Sequence, residues 1–303
     1  MRLLIAFISS LFIVYALFGG QFSDAFQYSM VFVLVGVVGM AHGSIDHIIA
    51  TDVLKIVPKN RKALFIAAYL LIIALYLLLW YVSPLISFLL FILYSAYHFG
   101  EADTSVIGQN LNKVQLSALS LSYGLLIISA MVFFNPNYTT EICPVWFTKI
   151  LPPDILVSSA TLIFYISFGG LIFQNIVYSF LGKIHWRKNL LFLVQLTFVI
   201  LIFILLPALV AFSIYFGLWH AMLVLKKEFY EVNKIRLINT GKEFVWALTP
   251  FTLLTLGAML IIVYFGSATA HFSTIVAISV LAFPHTLLMH VLYSRKLKVE
   301  VEF

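Results

Sequence analysis

Unbroken apolar runs limit what this chain can fold into more than any motif does. They cover about 3–19, 28–50, 62–82, 84–99, 114–134, 155–181, 189–206, 208–225, 245–266 and 272–293. Most approach the ~20 residues that a helix needs to cross a bilayer. The period-two alternation of an outer-membrane barrel strand is missing from them. Composition agrees: 63% of residues are hydrophobic, 10% are charged and the mean hydropathy is +1.07. A soluble, disordered or fibrous chain is excluded, because no water-exposed globule hides that much apolar surface. The expected fold class is all-α, a polytopic integral membrane helical bundle of about ten transmembrane helices. Residues 1–303 would form a single transmembrane helical domain, with no internal repeat or linker.

Two joins test the helix count. As continuous helices, 62–99 and 189–225 would measure about 57 Å and 55 Å, too long for a core of about 30 Å. Pro84 and Pro207 stand where breaks are required. Both segments therefore read as short hairpins, with re-entrant half-helices as the alternative. Charge then sets orientation. With ten spans and both termini cytoplasmic, seventeen of the 18 Lys and Arg residues fall on inner segments, among them Arg236, Arg295, Lys296 and Lys298, and only Lys149 falls outside. That split is what the positive-inside rule demands, and it places the chain in the cell's inner (cytoplasmic) membrane as a multi-pass protein. The net charge of +6 is thus an orientation signal and not a nucleic-acid surface. Arg2 and the apolar stretch behind it resemble a signal peptide, but Gly19-Gly20 makes a poor cleavage site, so the segment reads as a first helix. A single cysteine, Cys143, excludes an intrachain disulfide and a thiolate metal cluster.

Eight histidines in so apolar a chain require an account, since ionisable groups within a bilayer are expensive and usually functional. His185, in an inner loop, and His271, at an outer helix start, read as solvated. The other six lie on even-numbered spans, all running from outside to inside, and in the last third of each. His42, His98, His220 and His285 therefore share roughly one depth, nearer the cytoplasm. Four separate helices delivering imidazole to one layer form a constellation suited to iron, copper, zinc or nickel. The competing reading is four unrelated histidines, each bonded to a neighbouring helix. Asp46 lies four residues after His42, on the same helical face, where a carboxylate could fix a ligating ring's tautomer. Glu101 and Asp103 follow His98 and are candidates for the same supporting role, or solvated loop acids. His47 is about 140° round from His42, so the two are not expected to bind one ion; the same holds for His285 and His290. Gly36, Gly39 and Gly43 form a small-residue face for close helix packing. Pro284 beside His285 frees a carbonyl and kinks the helix, which often marks a cavity.

Several membrane classes drop out. No lysine lies mid-membrane for a retinal Schiff base, and the dense HxxxH and HxxHH boxes of membrane desaturases are absent. No phosphate loop, Ser-His-Asp order or CxxC appears. A bis-histidine haem protein and a proton- or metal-linked transporter remain open on these residues.

Four segments, "GMAHGSIDH" (His42, Asp46), "YHFGEAD" (His98, Asp103), "LWHAM" (His220) and "FPHTLLMH" (His285), resemble in order and spacing the Brp/Blh family of membrane carotenoid-cleaving enzymes. The resemblance spans most of the chain. It implies cleavage of β-carotene, or a related carotenoid, by O2 at the central 15,15′ double bond, giving two retinal molecules. It further implies a histidine-bound non-haem Fe(II) and a functional link to a retinal-binding rhodopsin. By the same resemblance His42, His98 and His220 would be iron ligands. Some members carry a second histidine one turn after the one matching His220, where this chain has Val224. His285 is assigned the fourth place by its depth and proline context, with His290 as the fallback ligand.

Overall fold

The computed structural model describes residues 1–105, 107, 108, 110–235, 237–265 and 270–294, the side chains of 270 and 271 excepted. Arg236, Arg295, Lys296 and Lys298, which enter the charge count above, lie outside the described residues, as does the side chain of His271. No strand occurs among the described residues.

Among the described residues ten helices correspond to the expected spans, the second only in part: α1 (Arg2–Leu17), α2 (Asp24–Gly39), α3 (Lys62–Val82), α4 (Pro84–Thr104), α5 (Lys113–Phe134), α6 (Pro153–Phe180), α7 (Trp186–Leu205), α8 (Ala208–Lys234), α9 (Gly241–Phe265) and α10 (Ala270–Ser294). Eight are long and apolar enough to cross a membrane, so the chain is an all-α polytopic membrane protein; α1 and α2 are shorter. Short helices Pro136–Ile142 and Val145–Thr148 fill the connection between α5 and α6.

The two proline joins resolve as full hairpins. α3 ends at Val82 and Pro84 takes the first position of α4, where its missing N–H is not needed. Pro207 likewise precedes α8, and each pair of helices packs side by side. Burial then sorts the bundle. The most apolar window of α8 is 67% buried and that of α10 is 61%, against 11% for α3 and 17% for α9. The inner helices are thus those that carry His220 and His285, while α3 and α9 present leucine-rich faces outward.

α4 and α5 cross at backbone contact. A Cβ on Gly100 would lie 1.7 Å from the Ser120 carbonyl oxygen, and one on Gly124 would lie 1.6 Å from that of Ala96. Only glycine permits that approach, two residues beyond His98.

The second span differs most from expectation. Instead of one helix over 28–50, the chain runs α-helical from Asp24 to Met30 and π-helical from Val31 to Gly39. It opens into turns at His42–Ile45, then resumes as Asp46–Ile48 and a π-turn at Ile49–Val53. Inside α8 a second π-helical stretch covers Ile214–Ala221. The two wide segments pack on each other. A Cβ on Gly39 would meet the Phe216 ring at 2.3 Å, and one on Gly217 would meet Leu34 at 2.7 Å. Of the expected small-residue face, Gly39 makes this close helix contact, Gly36 has room for a Cβ, and Gly43 faces a histidine ring.

Candidate metal centre

π-Turns commonly mark functional positions, because the extra residue swings a side chain off the regular helical face. His220 lies in one such stretch and His42 just beyond another. His98 comes from α4 and His285 from α10, one residue after Pro284. All four are buried.

Their rings converge. The His42 centroid lies 4.6 Å from that of His285, 5.5 Å from His220 and 6.3 Å from His98. His98 lies 5.0 Å from His220 and 5.3 Å from His285. The Nε2 atoms of His98 and His220 are 3.2 Å apart. One nitrogen from each of His42, His98 and His220 falls within a 4.8 Å group. Ligands around a single ion at ~2.0–2.1 Å have comparable mutual spacings.

Polar partners decide what each ring offers. His42 Nδ1 bonds the Gly39 carbonyl, which only accepts, so Nδ1 carries the proton and the Nε2 lone pair is left free. His285 Nδ1 lies 2.9 and 3.1 Å from the two Asp46 carboxylate oxygens, and its Nε2 is buried without a partner. Gly43 makes room for this ring: a Cβ there would sit 3.3 Å from His285 Nδ1. Tyr69 donates to Asp46 Oδ2 at 2.8 Å. His98 Nδ1 and His220 Nδ1 are also buried without a partner. The unpartnered Nε2 of His285 and the two Nε2 atoms of His98 and His220 that face each other at 3.2 Å are costly to bury, and a cation shared by these rings relieves that cost. The donor set therefore fits a metal such as iron.

The supporting acids fall differently from the sequence reading. The turns at His42–Ile45 destroy the i,i+4 face on which Asp46 was expected to meet His42, so Asp46 turns to His285 instead. Asp103 accepts from Tyr215 at 3.2 Å and supports no ring of the cluster. Glu101 is bound to His290 Nδ1 at 3.0 Å, and the His290 side chain is 53% exposed. The fallback ligand thus stands outside the group that holds His42, His98 and His220. His47 lies tilted against Phe251, with centroids 4.4 Å apart, and His185 caps α7. Val224 is buried in α8. Sequence reasoning missed Glu228, fully buried with both carboxylate oxygens unpartnered, and Tyr69. The signal for Glu228 was an acid on the helix that also carries His220; nothing local marks Tyr69.

A cavity of about 350 Å³ meets this centre. His42, His98 and His285 line one end, while Phe88, Phe147 and Phe272 line the other. From Phe88 to His98 along α4, and from Phe272 to His285 along α10, it extends over about 15–20 Å of helix. Its walls are almost wholly apolar, with phenylalanine and isoleucine predominating.

A family model described as Beta-carotene 15,15'-dioxygenase matches residues 33–293, a stretch that contains all four clustered histidines. No curated protein and no solved structure matches the chain.

Proposed function

Because the chain belongs to the beta-carotene 15,15'-dioxygenase family, we propose that it cleaves β-carotene, or a related carotenoid, with O2 at the central double bond to give two retinal molecules. The observation that carries this reading is the convergence of four buried imidazoles at one end of a long apolar cavity. His42, His98, His220 and His285 would hold Fe(II), with Asp46 supporting His285. Bound there, iron supplies the chemistry that activates O2 toward an electron-rich double bond.

The chain's own groups do the rest. The Gly39 carbonyl and the Asp46 carboxylate hold Nδ1 of His42 and of His285, which directs the opposite nitrogen of each ring toward the shared point. The aromatic walls exclude water and hold a rigid polyene lengthwise. The bond presented to the centre is then fixed by how far the chain penetrates, a positional form of regioselectivity. No carboxylate, lysine or arginine lines the cavity, and oxidative cleavage of a hydrocarbon needs no general base. An ion-conducting path would need polar walls, which favours the enzyme over a proton- or metal-linked transporter. His98 and His220 at 3.2 Å also leave no slot for a porphyrin between them. The reading places the protein in the cytoplasmic membrane, where retinal would pass to a rhodopsin without leaving lipid.

The test is expression in a bacterium that makes β-carotene. Orange colour should fade and retinal should appear, and His98→Ala should abolish both changes. Unchanged carotene beside well-folded protein would sink the proposal.

A further inference from the structure

Around His285, from residues that do not line the cavity, comes a second group of chemistry-bearing side chains. Asp46, Glu228 and His285 are all buried, and one ligand atom from each lies within 4.8 Å of the others. Glu228 is 0% exposed, and neither of its carboxylate oxygens has a hydrogen-bond partner. A carboxylate buried with neither oxygen paired is costly and calls for a compensating cation. Lys227 does not supply it, since its ammonium is committed to the Ala102 carbonyl at 2.7 Å and to Ser105 at 2.9 Å. A shared proton would draw the two acids together to about 2.5–2.7 Å. Glu228 makes no such bond to Asp46 or to any other group.

We propose that Asp46, Glu228 and His285 Nδ1 form a second divalent-cation site: the ion takes the place of the proton between Nδ1 and Asp46, that proton leaves to solvent, and His285 bridges to the histidine centre as an imidazolate. Two carboxylates and an imidazole suit Mn(II), Fe(II) or Zn(II), and a dipositive ion neutralises both acids at once. Ligands at about 2.0–2.2 Å from one ion have comparable mutual spacings. The Tyr69 hydroxyl, at 2.8 Å from Asp46 Oδ2, holds that carboxylate in place from the other side. This site rests on the histidine centre proposed above only through His285, and it involves none of His42, His98 or His220.

Metal counting tests it. The purified full chain in detergent is loaded anaerobically with Fe(II), desalted and measured by elemental analysis. Glu228→Gln should bind one equivalent less than the unsubstituted protein, whereas His98→Ala should lose the other equivalent and keep this one. Glu228→Gln protein that binds as much iron as the parent overturns the proposal. Loss in Glu228→Gln together with no change in His98→Ala upholds this site and counts against the histidine centre instead. Should Glu228→Gln fail to fold, the parent chain saturated with Mn(II) decides the matter by electron paramagnetic resonance. Two ions that share His285 give an exchange-coupled spectrum, and isolated six-line signals alone overturn the proposal.

Discussion

Histidine ring nitrogens and their partners set the chemistry at the smallest scale. Asp46 is the most informative of those partners, because both of its carboxylate oxygens lie within hydrogen-bond reach of His285 Nδ1. Replacing such a supporting carboxylate typically costs ten- to a hundredfold in metal affinity. Asp46→Asn should therefore weaken Fe(II) binding by about that factor in a calorimetric titration while the helical circular dichroism stays unchanged; unaltered affinity would remove Asp46 from the site. Cys143, half-buried on the cavity wall, gives a second prediction. Burial pushes its thiol up, so the reactive thiolate is scarce at neutral pH. Maleimide labelling should keep accelerating about tenfold per pH unit to beyond pH 9, and bound carotenoid should slow it; a rate that levels off near neutrality would contradict the burial. The four histidines were legible in the sequence because imidazole is scarce and expensive in a bilayer. Their partners were not. Asp46 meets a ring 239 positions away, a pairing that only the tertiary fold creates.

Helices were legible for a different reason. A bilayer forces each crossing to a fixed apolar length, so the span limits other than those of α2, and the Pro84 and Pro207 breaks with their hairpins, follow from hydropathy and proline chemistry. What hydropathy does not encode is hydrogen-bond register. Nothing in the composition of Val31–Gly39 or Ile214–Ala221 distinguishes a π-turn from an α-turn, and yet both wide segments lead to a histidine of the centre. Deleting one residue within Ile214–Phe216 should restore α-helical register and rotate His220 by about 100° relative to the preceding turn. The expected result is folded protein with less bound iron; full iron content would show that the wide turn is dispensable. The α4–α5 crossing gives a stability prediction. Gly124→Val forces a branched side chain into the Ala96 carbonyl, and overpacking of this kind costs about 3 kcal/mol or more. It should lower the thermal midpoint in detergent far more than Gly169→Val, where a Cβ meets nothing within 4 Å.

For the whole molecule, the cavity and the bundle that encloses it decide what reaches the centre. Ala282 lines the cavity one helical turn before His285. Ala282→Trp should plug it, reducing carotene cleavage by at least about tenfold, or ~1.4 kcal/mol, while iron content stays at the parent level. Equal losses of iron and activity would mean the site had collapsed instead. Because the cavity walls are apolar and the bundle's outward faces are leucine-rich, the substrate's effective concentration is its mole fraction in lipid rather than its molarity in buffer. Adding carotene-free lipid to a reconstituted sample should therefore slow turnover in proportion, whereas doubling the aqueous volume should leave the rate per protein unchanged. In a cell, the rate would follow the area of membrane over which a given amount of pigment is spread.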